Sequence, residues 1–461
     1  MTQNNLLSGL PLVHFRRAAG IDVHRNSFVC CILDLVDTET QVVAEGTFET
    51  FFPDLDKIAD WLAKYNPGII TMESTGIYWE SLAYRLQDRG MPVNVVNPAH
   101  VKGLRGKKTD KKDAAWLASI SFLSTTNCSF IPTAPFRELR HIERHRDNLV
   151  RDLQRMKNRL HKQLDRVCIK LTTVFSDMSG KNARRAMQGV IDGLPPEQIV
   201  DKLNLKRLKA DRETIIKALS GVVSDTTRDI ISSSLSLIKD VEALIAQRTE
   251  EMISGVSRLC PAVFCNLKAV PGLSDVTAAG ILIEIGGDVS AFPSVKQFTS
   301  WLGICPGDHE SAGKRMSGKI RKGNKYVRRY LVQAAHAAIR TKCSLGSKCR
   351  VLCSKLGKKK GIVASAHKLS RILYAMIKNV AEYRDPQIDH EQVRVCKRAS
   401  SNLQRIVDAT GMSISTYNSH TGEVVMTLTP MVPLQKRTKR ERAVITQSLQ
   451  LPGVAEQALL I

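Results

Sequence analysis

Four acidic residues in the first quarter of the chain have the types and spacing to do phosphodiester chemistry. Asp22 lies in GIDVHRNSFVCCILD, Glu73 in IITMESTGIYWE, and Asp110 and Asp113 in GKKTDKKDAAWLA. Asp22 sits in an alternating apolar stretch, the pattern of a strand. Glu73 follows the apolar run Gly68–Met72, the pattern of a second, buried strand that ends at the acid. Asp110 and Asp113 open a helical pattern through Ala114, Ala115, Leu117 and Ala118, and their spacing puts both carboxylates on one helix face. Converging carboxylates repel one another unless a cation sits among them. Hard divalent ions such as Mg²⁺, or Mn²⁺ in its place, take oxygen ligands and bridge to phosphates. A carboxylate cluster in a strongly basic chain therefore points to metal-dependent chemistry on a nucleic-acid phosphodiester.

A second constellation lies far downstream. Residues 305–314 read CPGDHESAGK, followed by GKIRKGN at 318–324 and by Arg328-Arg329. Interleaved glycines and cations let backbone approach a phosphodiester while Lys and Arg hold its oxygens. Ser311 and Ser317 are hydroxyls within this segment, and serine becomes a nucleophile where a base or metal lowers its pKa. Lys107, Lys108, Lys111 and Lys112 flank the acids, and Lys314, Arg315, Lys319, Arg321 and Lys322 flank Ser311, with Arg328 just beyond. These are the expected phosphate contacts.

Lys and Arg number 68 against 44 Asp and Glu, a net charge of +24. That balance selects a polyanionic partner, nucleic acid ahead of a membrane surface. No run reaches the roughly 18–20 uninterrupted apolar residues of a membrane span, and no secretory signal pattern opens the chain. The 11 cysteines are odd in number and lack disulfide-like spacing. They are expected as reduced, mostly buried side chains in a cytoplasmic protein. Cys343, Cys349 and Cys353 contain no CxxC pair, which favours core packing over zinc.

A chain of 461 residues holds more than one domain. Strand patterns fall at Ala19–Leu33, Val42–Glu49, Gly68–Met72 and Pro92–Val96, and helical ones at Asp54–Tyr65, Tyr78–Arg89 and Asp110–Leu123. An antiparallel start followed by parallel strands predicts a mixed sheet flanked by helices. Pro132 and Pro135 close that unit. Two long amphipathic runs, Phe136 to about Leu171 and Thr226 to about Ser257, predict a helical hairpin or coiled coil with charged outer faces and shorter helices between. From residue 259 a mainly helical unit begins, in which Val270-Pro271-Gly272-Leu273 resembles a helix-hairpin-helix turn. The tail after about Arg384 reads as less regular, with the basic run Lys436–Arg440.

GIDVHR, MESTG, NPAHVKGLRGKKTDKKDA, VPGLSDVTAAGIL and ESAGKRMSGKIRKGNKYVRRYL, in that order, resemble the DEDD-type insertion-sequence transposases, also called bridge-RNA-guided recombinases. The resemblance spans about residues 17–380. It implies an α/β plus α protein: a RuvC-like, RNase H-fold nuclease domain at 1–132, a coiled-coil middle at 133–258 and a helical transposase domain at 259–385, with 386–461 as a tail of unknown role. It implies that Asp22, Glu73, Asp110 and Asp113 bind Mg²⁺. It implies that a serine attacks DNA to form a phosphoserine link. That serine matches Ser311, here separated from Gly313 by Ala312, with Ser317-Gly318 as the alternative. The implied partners are element-end and target DNA, a structured guide RNA and further copies of the chain, in the bacterial cytoplasm at the nucleoid. Two other readings use the same residues: a Holliday-junction-resolvase-like nuclease with water as nucleophile, and a non-catalytic nucleic-acid-binding protein.

Overall fold

The computed structural model describes residues 15–37, 39–98, 110–122, 129–208, 210–306, 309–311, 314–317, 319–410, 413–417 and 424–427. They divide into two compact units, 1–134 and 135–461.

The first unit is built on a five-stranded sheet of order β3-β2-β1-β4-β5. β1 (Arg17–Val23), β2 (Ser27–Val36) and β3 (Glu39–Glu49) form an antiparallel meander. β4 (Ile69–Glu73) pairs parallel with β1, and β5 (Val93–Val96) parallel with β4. The sheet is thus mixed, as the sequence pattern predicts. The expected strand Ala19–Leu33 is instead two strands joined by a tight turn, where the His24 amide donates to the Ser27 carbonyl at 3.0 Å. Both halves are apolar because each is buried on both faces, so periodicity shows no break there.

Alternation along β1 sends Ala19, Ile21 and Val23 to one side of the sheet. There they pack with Leu55, Ile58, Ala59 and Leu62 of α1 (Phe52–Tyr65) and Leu82, Ala83 and Leu86 of α2 (Tyr78–Asp88). The positions 55, 58, 59 and 62 make one stripe of a 3.6-residue helix. The other side, carrying Ala18 and Ile69, is covered by Ala114, Ala118 and Phe122, of which the two alanines belong to α3 (Asp110–Ser121). This second interface is unusually close. A Cβ on Gly20 would lie 2.0 Å from the Ala114 carbonyl oxygen and 2.3 Å from the Ala118 amide nitrogen. Only glycine lets α3 lie directly on β1, which carries the start of α3 towards the end of that strand.

The second unit is helical. α4 (Ala134–Arg166) and α9 (Asp225–Leu259) are its longest helices, and they run antiparallel. Leu139 packs on Gly255, Arg146 Nε donates to Thr249 Oγ1 at 2.6 Å, and Lys157 Nζ lies 3.0 Å from Glu242 Oε1. Between them α5 (Leu171–Val174), α6 (Lys181–Ile191), α7 (Pro196–Asp201) and α8 (Arg212–Leu219) close a core with Leu160, Leu164, Ile231 and Ile238.

α10 (Pro261–Lys268) follows α9 after one residue, and α11 (Asp275–Ile285) is buried from Thr277 to Ile285. A helix apolar on all sides belongs in a core. It is surrounded by helices that include α13 (Lys325–Ala338), whose Tyr330 packs on Gly280. The turn before α11 lies against α13 as well: a Cβ on Gly272 would meet the Ala334 carbonyl at 2.5 Å. Close helix packing therefore accounts for the glycine of the Pro-Gly-Leu turn.

α12 (Val295–Trp301), α14 (Ser344–Leu356) and α15 (Lys358–Asn379) complete this part. Cys343 caps α14 through its sulfur and Cys349 is buried, in keeping with packing roles. The tail is more regular than its sequence suggests: it holds the 21-residue helix α16 (His390–Thr410) and the paired strands β8 (Ser413–Tyr417) and β9 (Val424–Thr427). The basic run 436–440 lies outside the described residues. No described helix is long and apolar enough to cross a membrane.

Candidate metal and nucleophile sites

The register of the sheet places two of the four acids side by side. Ile21 of β1 pairs with Met72 of β4, so the next residues, Asp22 and Glu73, sit on neighbouring strands about 4.8 Å apart. Alternation puts both on the side covered by α3. Asp110 and Asp113 occupy the first turn of α3, where the helix dipole favours negative charge. The geometry converges most tightly at Asp22, His24 and Asp110, whose ligand atoms all lie within 4.8 Å of one another. His24 Nε2 is 3.1 Å from Asp22 Oδ2 and 3.6 Å from Asp110 Oδ2. Glu73 and Asp113 are not members of that tight group. The Glu73 carboxylate accepts from Thr75 Oγ1 at 3.3 Å.

His24 was not singled out as a candidate from sequence. Its signal was present: two residues beyond Asp22, it extends the same alternation face.

Asp22 is buried, and burial is the main cause that pushes its pKa up. His24 opposes that rise, while the charges of Asp113 and Asp110 add to it. Desolvation and like charge together make the ionised Asp22 costly. A divalent cation would relieve both effects, and the available donors, carboxylate oxygens and an imidazole nitrogen, suit one. The residues present fit such an ion.

Of the basic residues predicted to flank the acids, Lys111 is exposed and paired with Glu45 at 2.8 Å. Lys112 is on the first turn of α3. Lys107 and Lys108 lie outside the described residues.

The second constellation forms a hairpin. β6 (His309–Ser311) pairs antiparallel with β7 (Lys314–Ser317), with Ser311 opposite Lys314 and Ser317 opposite His309. The two candidate serines therefore mark opposite ends of the ladder and are not interchangeable by a small shift. The hairpin's base is pinned by a bridge between Pro306 and Ile320 and by the Arg321 amide donating to the Cys305 carbonyl at 3.2 Å. Just below, Gly303 and Gly323 touch backbone to backbone: a Cβ on Gly323 would lie 2.3 Å from the Gly303 nitrogen. Asn324 then caps α13, its Oδ1 accepting from the Tyr326 and Val327 amides, while its Nδ2 donates to buried Glu284 at 2.8 Å. The Gly-Asn pair thus ties the hairpin to the buried helix α11. Lys319, Arg321 and Lys322 are exposed and Arg328 is half-buried. Lys314 and Arg315 are placed on β7 by backbone alone.

Two family models match this chain, and each covers one of these constellations. A DEDD transposase model of the IS110 type matches residues 19–169, which include all four acids. A model described as "Transposase IS116/IS110/IS902 family" matches residues 265–348, which include the hairpin. The chain belongs to the IS110-type DEDD transposases. It is an enzyme, a DNA transposase.

Among its curated relatives, a probable family 20 transposase of Pseudomonas aeruginosa is 24% identical over 336 residues, 71% of this chain and 89% of that protein. The transposase for insertion sequence element IS1111A of Coxiella burnetii is 22% identical over 337 residues, 70% of this chain and 81% of that protein. Among solved structures, Thermus thermophilus RuvC aligns with 24% of this transposase and 99% of its own chain at 12% identity, with a TM-score of 0.21. The fowlpox virus resolvase in complex with Holliday junction DNA aligns with 23% of this chain and 97% of its own at 13% identity, with a TM-score of 0.19.

Proposed function

We propose that this transposase is a site-specific recombinase that moves an insertion element, cutting and rejoining DNA with a Mg²⁺-bound carboxylate site and a serine nucleophile. The observation that carries the reading is the convergence of Asp22, His24 and Asp110 on one side of the sheet, with Glu73 beside Asp22 in register. In this reading Asp22, Glu73, Asp110 and Asp113 hold the ion, and His24 joins them. The bound ion supplies charge neutralisation at the phosphate and a lower pKa for an attacking hydroxyl.

The chain's own residues do the rest. Lys111, Lys112, Lys319, Arg321, Lys322 and Arg328 hold phosphates in register. Ser311 Oγ forms a bond to phosphorus as the phosphorus–oxygen bond to one DNA strand breaks. The serine proton passes to solvent, and the leaving oxygen takes a proton to become a hydroxyl. The phosphoserine keeps the phosphodiester energy, so a new strand's hydroxyl reverses the step without ATP. A structured guide RNA selects the site, held by the RuvC-like and coiled-coil regions through its backbone and shape. Further copies of the chain complete the assembly.

A water-using, resolvase-like nuclease is the second reading, favoured by one observation: Asp22, His24 and Asp110 all come from the first unit. Incubation with element-junction DNA, Mg²⁺ and co-purified RNA separates the two. A protein–DNA adduct on a denaturing gel that disappears in Ser311→Ala supports the serine. If the adduct disappears in Ser317→Ala but persists in Ser311→Ala, the role moves to Ser317. Strand cleavage with no adduct in any form of the protein supports water. Full sequence-specific recombination by RNA-free protein removes the guide from the mechanism.

A further inference from the structure

The second unit holds a concentration of charge that the proposed chemistry leaves unused. A cleft of about 2060 Å³ opens among α14, α15, α16 and the 381–388 stretch. Nine Lys and Arg residues line it, against the single acid Glu382. Most of it lies beyond residue 348, where the second family match ends.

The nearby acids are already engaged. Asp385 accepts from the Ser344 and Gln387 amides, Asp389 from those at the start of α16, and Glu391 pairs with Arg350 at 2.8 Å. Among the described residues, none of the nine cations forms an ion pair. The consequence is visible at the lining itself. Lys368 has its pKa pushed down by burial and then by the charges of Arg371 and Lys348, and His390 is pushed down by burial and then by Lys348 and Lys368. Elsewhere in this unit buried charge is balanced: Arg140 and Arg144 meet Glu284, and Arg329 meets Asp147. An unbalanced cationic cleft is therefore a local feature and not a by-product of a basic chain.

Size and lining select among anions. The cleft exceeds the roughly 300–1,000 Å³ of a small-molecule site, so a polymer fits better than a metabolite. Between the cations the lining is apolar, with Val351, Ile372, Val393 and the half-buried Tyr383. Unpaired bases have faces to lay on such a surface, whereas duplex bases are stacked away inside. DNA is the substrate of a transposase, and strand cleavage frees single strands from it, whereas the guide RNA proposed above is a structured one.

We propose that this cleft binds a single-stranded segment of the DNA substrate, its phosphates on Lys348, Lys368, Arg371, Arg394, Lys397 and Arg398 and its bases against the apolar lining. The choice of occupant rests on the proposed strand cleavage, whereas binding itself needs neither the carboxylates nor the serine.

The test is fluorescence anisotropy of a labelled single-stranded DNA oligonucleotide with the full-length protein in EDTA, which removes any contribution from a metal at the carboxylates. The variant is the triple substitution Arg394→Gln, Lys397→Gln, Arg398→Gln on α16, with Lys368→Gln combined with Arg371→Gln as an independent second variant. Single-strand affinity should fall roughly tenfold or more in each. The slope of log affinity against log salt should shrink by about two in the triple variant, at about 0.7 per phosphate contact on a single strand. Unchanged affinity and slope in both variants would overturn the proposal. So would an equal loss on duplex DNA, or a loss confined to single-stranded RNA, which would make RNA the occupant.

Discussion

Two buried acids in this molecule, Asp22 and Glu284, are treated in opposite ways. In the first unit, Asp22 faces His24 and two further acids, and its pKa is pushed up. In the second, Glu284 is fully buried on α11 and is met by Arg140, Arg144 and Asn324. Asp147 on α4 is met by Arg329 and Arg151, whose hydrogen bonds hold its pKa down against burial. In one place acid is neutralised by arginine from two helices, α4 and α13, and serves as architecture. In the other it meets an imidazole and more acid, which leaves its oxygens for a cation from outside. Among the described residues, it is the absence of an arginine against Asp22, more than the acid itself, that marks the chemical site.

The strongest way to break this comparison is a matched pair of amides. Asp22→Asn should reduce strand cleavage by roughly 10²–10³-fold, the scale of losing one preorganised electrostatic contact. It should leave the denaturation midpoint unchanged or raised, because it removes a costly buried charge. Glu284→Gln should do the reverse to stability and lower the denaturation midpoint, since it leaves the half-buried Arg140 and Arg144 without their counter-charge. Chemical denaturation and a cleavage assay on both variants check the pair. A large stability loss in Asp22→Asn would erase the distinction.

Gly20→Ala is expected to cost about 1–3 kcal/mol, the range for forcing extra atoms into a packed core. The added methyl meets the backbone of α3, so the helix carrying Asp110 and Asp113 must shift. Cleavage should fall with stability, although Gly20 has no chemistry of its own.

Glu143 gives a pH signature. Burial pushes its pKa up to about 6 from 4.5. The folded state then holds the proton more tightly than the unfolded chain, so stability falls as pH rises from about 4.5 to 6. The size is about 2 kcal/mol. Glu143→Gln should lack that slope while keeping an oxygen for Tyr330. Unfolding midpoints measured across pH 4–7 decide it, and an identical slope in both proteins would assign the titration elsewhere.

The smallest effect is expected at Lys111. Its pair with Glu45 is exposed and contributes little. Lys111→Ala should leave the unfolding midpoint where it is. It should reduce the salt slope of DNA binding by about one if the side chain meets a phosphate.

What could be read from the sequence was local. Asp22 and Glu73 announce themselves by ending or interrupting apolar runs, and Asp110 and Asp113 by helical spacing, because strand and helix periods are properties of neighbouring residues. The mixed sheet and the two long helices follow from the same periods. What tertiary structure alone decided was which distant residues meet. The parallel pairing of β1 with β4 sets Glu73 beside Asp22 across some fifty intervening residues. The contact of Gly20 with α3 explains how α3 is brought onto the strand that carries Asp22. The turn inside 19–33 was hidden because both flanking strands are buried on both faces. Glu143 and Asp147 looked like members of a charged outer helix face, yet they point inward. Helical spacing shows that they share a side with Leu139, but only the packing of α4 brings Arg329 and Tyr330 opposite them, and those groups are what make buried charge tolerable.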